Sequence, residues 1–148
     1  MRVAIINYGA GNLTSVRNAF TAVGAEVEIA AKSEDILRAD RLVLPGVGAA
    51  GTALSALRAE GIESALAEAV CRRAVPTLGI CLGLHLAAET LNEFGRHRGF
   101  GWIAGEVVPI QSISGTAPEV PHMGWNEVTF EDESRALFGT GRDRAPYF

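Results

Sequence analysis

Pro76-Thr77-Leu78-Gly79-Ile80-Cys81-Leu82-Gly83 is the stretch on which the reading of this chain turns. An apolar strand runs into Gly-x-Cys-x-Gly, and a helical pattern from Leu82 to Leu91 follows. That is the pattern of a strand-to-helix elbow, which holds a nucleophile on a sharp turn. The turn needs small flanking residues, and Gly79 and Gly83 supply them. At the C-terminal end of a parallel strand, Cys81 would face the crevice where open α/β sheets take their ligands. A helix start also favours negative charge beside the sulfur, through its unpaired amides and positive dipole end. The Leu82 amide is then one oxyanion donor. A second is expected from Pro45-Gly46-Val47-Gly48 at the end of a neighbouring strand. Losing one such donor typically costs about 10²–10³ in rate. Most free cysteines are buried packing, and Cys71, in a helical stretch without an elbow, is read that way.

Working outward, the elbow strand is the fourth of a series. Val3 to Ile6 is a buried strand ending in the turn Asn7-Tyr8-Gly9-Ala10-Gly11-Asn12. Val16, Ala19, Phe20 and Val23 recur at helical spacing, and Gly24 stops that helix. Val27 to Ala30 is a second strand, and Ser33 can cap a short helix carrying Ile36 and Leu37. Leu42 to Leu44 is a third strand. Helical patterns follow over Thr52 to Arg58 and Ile62 to Arg73. Strands alternating with helices imply a parallel sheet covered on both faces. The fold class is therefore α/β, a doubly wound, flavodoxin-like sandwich with a mostly parallel sheet. After about Gly99 a β-rich extension follows, with strands expected at Glu106 to Ile110 and Glu127 to Phe130. Ala145-Pro146-Tyr147-Phe148 reads as a strand just starting.

Bulk properties narrow the function classes. A chain of 148 residues suits one domain and can bury roughly 68–70% of its unfolded surface. Its net charge is −4 and its basic residues are scattered, the tightest group being Arg96, His97 and Arg98. Nucleic-acid binding wants a basic stripe, so neither nucleic acid nor an anionic membrane is an expected partner. No apolar run reaches the length of a bilayer span, and Met1 to Asn7 does not read as a signal peptide. Two cysteines make no disulfide framework and fit a reducing cytoplasm. No cofactor is implied. Gly9-Ala10-Gly11 is half of a dinucleotide fingerprint without its third glycine, and there is no zinc or calcium spacing.

Gly79-Ile80-Cys81-Leu82-Gly83 resembles the nucleophile motif of class I glutamine amidotransferases. Asn7 to Leu13, Leu44 to Gly48 and Pro121-His122-Met123-Gly124-Trp125-Asn126 narrow the resemblance to the glutaminase subunits of imidazole glycerol phosphate synthase. It covers residues 1–148, read as a glutamine amidotransferase type 1 domain incomplete at its C-terminus. The resemblance implies hydrolysis of glutamine to glutamate and ammonia. The ammonia passes to a TIM-barrel cyclase partner in histidine biosynthesis. It implies that Cys81 forms a thioester with the glutamine side-chain acyl group, and that amides at Leu82 and Val47 or Gly48 hold the oxyanion. Glu93 falls where a carboxylate binds the glutamine α-amino group. Asn12, Met123 and Trp125 fall on the cyclase-facing side, with core packing as the plainer role for Met123 and Trp125.

The sequence departs from that family in two places. Where the family continues Gly-x-Gln after the cysteine, this chain has Gly83-Leu84-His85, so His85 takes the place of a substrate-contacting glutamine. As a general base it is poorly placed, one helical turn beyond Cys81. Thioester chemistry needs a histidine oriented by a third group. The family carries these in a His-Pro-Glu segment, and the histidines here are His85, His97 and His122. His97 reads as a solvated loop side chain and His122 as part of the local Pro121–Asn126 structure. The expectation is a truncated chain that lacks turnover by itself. Two alternatives stay open: a non-catalytic partner-binding module of the same fold, and a different cysteine-elbow hydrolase on the same sandwich.

Overall fold

The computed structural model describes residues 1–110, 124–129 and 144–147. The chain divides into two compact units, Met1–Pro109 and Ile110–Phe148. In the first, the apolar run after Met1 forms β1 (Arg2–Ile6), followed by α1 (Leu13–Ala22), β2 (Glu26–Ala30), α2 (Ser33–Arg38) and β3 (Arg41–Gly46). Next come α3 (Ala50–Ala59) and α4 (Ile62–Ala67), whose last turn widens into a π-helical turn over Glu68–Arg72. The elbow is β4 (Thr77–Cys81) followed by α5 (Leu82–His85).

The four strands form one parallel sheet in the order β2-β1-β3-β4. Alternate residues of β1 point to opposite faces, as a period of two requires. Val3 and Ile5 join Val43 under Leu13, Val16 and Phe20, so α1 covers that face. Ala4 and Ile6 join Leu42 and Leu44 under Ile36, Leu54, Leu57, Ile62 and Leu66, so α2, α3 and α4 cover the other. The inner strands therefore read as continuous apolar runs, and the doubly wound α/β reading holds. At the N-terminal end of β1, the Arg2 amide donates to Asp40 Oδ2 at 2.7 Å. That bond, ahead of nearby positive charge, holds the Asp40 carboxyl below its ordinary range.

The structure corrects the sequence reading after the elbow. The helix expected from Leu82 to Leu91 is a single turn, Leu82–His85, and the chain then enters β5 (Ala88–Asn92). Leu82 and Leu86, four apart and both buried, mimic a helical stripe. Returning chain takes the backbone instead: Phe100 N–H donates to Leu86 O at 2.8 Å, and Trp102 and Ile103 both donate to Ala87 O. The β-rich region thus begins at Ala88 rather than near Gly99. β5 pairs antiparallel with β6 (Arg96–Arg98) and parallel with β7 (Ile103–Val107). The strand expected at Glu106 to Ile110 lies earlier in sequence. Ser33 caps nothing: α2 starts from extended Lys32 with no side-chain cap, and Ser33 Oγ donates to Gly61 O at 3.4 Å. In the second unit, β8 (Asn126–Thr129) pairs antiparallel with β9 (Arg144–Tyr147), the strand expected near the chain end. Phe130 and Phe148 lie outside the described residues. Among the described residues no helix is long and apolar enough to cross a membrane.

Leu57, on the inward face of α3, is fully buried. Leu57→Ala is expected to lower unfolding stability by about 2–5 kcal/mol in a urea melt, through lost transfer energy and a residual cavity.

Candidate active site

Cys81 sits at the junction of β4 and α5 with φ 52° and ψ −118°. An L-residue held there stores about 1–3 kcal/mol of strain, a cost tolerated when surrounding structure fixes the backbone. Two contacts do so. At Gly83, a Cβ would be driven into the Leu44 carbonyl oxygen of β3. At Gly79, a Cβ would lie 2.7 Å from Leu84 Cα. Both glycines of Gly-x-Cys-x-Gly are thus required by close approach of backbone, and the thiol-bearing residue is left exposed at the turn.

The register of the sheet brings the second piece alongside. Gly46, last residue of β3, pairs with Cys81, and Pro45 pairs with Ile80. Val47-Gly48 and Leu82-Gly83 therefore leave the sheet side by side. Val47 is exposed, Gly48 has φ +90°, and Leu82 is buried at the start of α5. A Cβ on Gly46 would meet Gly83 N and Leu82 Cβ at 3.0 Å each. The oxyanion residues picked from sequence, Leu82, Val47 and Gly48, thus lie on the two chain segments that flank the sulfur-bearing turn.

Tyr8 belongs to this cluster, and sequence reasoning missed it. Its ring is buried, and its hydroxyl donates to Pro45 O at 2.9 Å. A Cβ on Gly46 would come within 2.5 Å of Tyr8 Oη. Burial, with the neighbouring Cys81 charge second, raises the Tyr8 phenol above its ordinary value of 10.0. The signal was a tyrosine at the exit of a fully buried strand, in a turn otherwise built of small and amide residues.

Glu93 and His85 lie on opposite sides of the short β5 strand in sequence. Glu93 is exposed, on the β5–β6 turn, and its Oε2 accepts from Ala50 N–H at 2.9 Å. Ala49, the residue preceding α3, offers no side-chain cap, so Glu93 satisfies one of the helix's orphan amides from a distant turn. An open groove of about 710 Å³ runs past it, lined by Ala49, Thr52, Glu93, His97 and Arg98, and Cys81 is not on its wall. His97 is not a solvated loop side chain. It is half-buried in β6, with Nε2 3.1 Å from Glu93 O, and its Cε1 would be 2.7 Å from a Cβ on Gly51. His85 ends α5 and is exposed. Cys71, expected as buried packing, is exposed in the π-helical turn. Asn12 is exposed and caps α1, its side-chain oxygen accepting from Ser15 N–H at 3.1 Å. Trp125 is 72% exposed rather than core, while Met123 and His122 lie outside the described residues. Among the described residues no group of three or more His, Cys, Asp or Glu could hold a metal ion.

A parallel sheet, a strained cysteine elbow and a register-matched Pro-Gly-Val-Gly turn together define a class. The chain belongs to the class I glutamine amidotransferases: that family's profile matches residues 4–145. Within the class it is similar to imidazole glycerol phosphate synthase subunit HisH. It is 44% identical to that subunit from Zymomonas mobilis over 143 residues, 94% of this chain and 67% of the relative. It is 46% identical to the Rhodospirillum rubrum subunit over 144 residues, 93% of this chain and 67% of the relative. The chain thus spans about two thirds of the length of these relatives. A solved glutamine amidotransferase crystal structure shares the fold, with TM-score 0.57 and 21% identity over 66% of this chain and 51% of that one.

Gly83→Ala should therefore act through the backbone. It is expected to destabilise the fold by about 3 kcal/mol in urea or thermal melts, as overpacking against rigid main chain does. Alanine at an exposed helical position such as Ser55 provides the control.

Proposed function

We propose that this chain is the nucleophile-bearing part of a glutaminase subunit of imidazole glycerol phosphate synthase. The carrying observation is the strained Cys81 elbow, held opposite Gly46 so that two amide-bearing turns flank it. Similarity to the HisH subunits supports the choice within the family.

In this reading the Cys81 sulfur attacks the side-chain amide carbon of glutamine. The C–N bond breaks, the thiol proton goes to the nitrogen that leaves as ammonia, and a thioester forms. Water then attacks the thioester, the C–S bond breaks, one water proton returns to the sulfur, and glutamate departs. The negative charge on the carbonyl oxygen in each tetrahedral intermediate is held by the Leu82 amide and an amide of Val47 or Gly48, where preorganised donors act most strongly. Proton movement needs a base oriented by a third group. By family resemblance that base lies in a His-Pro-Glu segment, and the 148 residues contain no such segment. His85 stands where the family uses a glutamine to contact substrate, and an imidazole can both donate and accept a hydrogen bond. Glu93 receives the α-amino group of glutamine. Asn12, Met123 and Trp125 face the partner, a TIM-barrel cyclase that takes the ammonia, in a cytoplasmic heterodimer that uses neither nucleic acid nor membrane.

Two measurements on the full-length protein with its cyclase test this. Cys81→Ala should cut ammonia release from glutamine by about 10³-fold or more, and unchanged release would overturn the assignment. Glu93→Gln keeps an oxygen that can accept from Ala50 N–H but loses the charge. Its KM for glutamine should rise roughly tenfold with little change in thermal midpoint, the loss of one charge-assisted hydrogen bond. An unchanged KM removes Glu93 from the substrate site.

A further inference from the structure

We propose that Tyr8 is a positioning residue for glutamine hydrolysis: its hydroxyl, bonded to the Pro45 carbonyl, sets the direction in which the Val47-Gly48 turn presents its amides beside Cys81. This role rests on the glutaminase reading above.

The hydrogen bond from Tyr8 Oη to Pro45 O spans 2.9 Å between buried groups. Pro45 precedes the two residues whose amides serve the oxyanion, and its peptide group with Gly46 is the last one held in the sheet. A peptide is planar, so fixing where the Pro45 carbonyl points fixes the Gly46 N–H and the plane from which the chain runs on into Val47 and Gly48. Beyond Gly46 the chain is exposed and passes through φ +90° at Gly48. That turn takes its starting direction from the last residues of β3. Proline offers no N–H, so at position 45 the ladder lacks a donor, and the Tyr8 bond restrains the same residue through its carbonyl.

The fit around this bond is close. Tyr8 Oη occupies space that a Cβ on Gly46 would enter, at 2.5 Å. From the same β1–α1 turn, Gly11 lets the chain approach Pro45 so nearly that a Cβ there would lie 3.3 Å from Pro45 Cβ. Pro45 is thus gripped on its ring by Gly11 and on its carbonyl by Tyr8. Burial, with the neighbouring Cys81 second, raises the Tyr8 phenol above its ordinary value, which favours the protonated, donating form.

Tyr8→Phe removes the hydroxyl and keeps the buried ring. In the full-length protein with its cyclase, kcat for ammonia release should fall roughly 10- to 100-fold, the scale of a small misplacement at the reacting centre. KM should stay within about twofold. Covalent capture of Cys81 by 6-diazo-5-oxo-norleucine, a glutamine analogue that engages the acyl site, should slow in parallel. Alkylation of Cys81 by iodoacetamide, followed at that peptide by mass, needs no oxyanion donor and should keep its rate. If kcat, KM, iodoacetamide rate and thermal midpoint all fall together, Tyr8 is only part of the core and the role is overturned. An active parent with an equally active Tyr8→Phe variant also overturns it, leaving the glutaminase reading intact. A parent that neither releases ammonia nor is captured by the analogue overturns the glutaminase reading and this role with it.

Discussion

The close approach of β3 to the start of α5 is the constraint on which the site depends. Gly83 lies so near the Leu44 carbonyl that no side chain fits between them. Because that helix turn is pressed onto β3, the chain must reverse from strand to helix within one residue. Cys81 is the residue that takes the forbidden φ. The strain is local, but its support is not. It comes from the β3–β4 ladder, from buried Leu44 and Leu82, and from glycines that remove every Cβ in the way.

The same ladder aligns the chemistry. With Gly46 paired to Cys81, the two strands end level, so the turns that follow them leave the sheet side by side without any long loop reaching in. Tyr8 adds a third strand to the arrangement, since it leaves β1 and bonds the end of β3. Neighbouring C-terminal ends of a parallel sheet converge in this way because every strand points the same direction. The site is thus built from the ends of sheet strands and the short turns past Gly46 and Cys81.

A second feature links the small β5-β6-β7 sheet to the main core. Glu93 stops an open amide at the start of α3, and His97 packs its ring against Gly51 in the first turn of that helix. α3 begins only a few residues after the Val47-Gly48 turn. The β5–β6 turn therefore fixes the far side of the segment whose near side Tyr8 holds. In the proposed reaction, the residue that meets the substrate α-amino group is thus also one that anchors the oxyanion segment.

The parallel main sheet and its two covered faces were legible in the sequence, while the strand order was not. Buried parallel strands must be apolar throughout, and helices between them must show a stripe. The elbow was legible too, because a sharp turn around a nucleophile demands glycine on each side, and Gly79 and Gly83 are written in the chain. What followed the elbow was not. Leu82 and Leu86 satisfy a helical period, yet residues 100–103 compete for the same backbone groups and win, which makes a strand of Ala88–Asn92. Tyr8, the cap role of Glu93, the half-burial of His97 and the exposure of Cys71 were likewise decided by tertiary structure. Each depends on what a distant segment places beside the residue, and local periodicity carries no record of that neighbour.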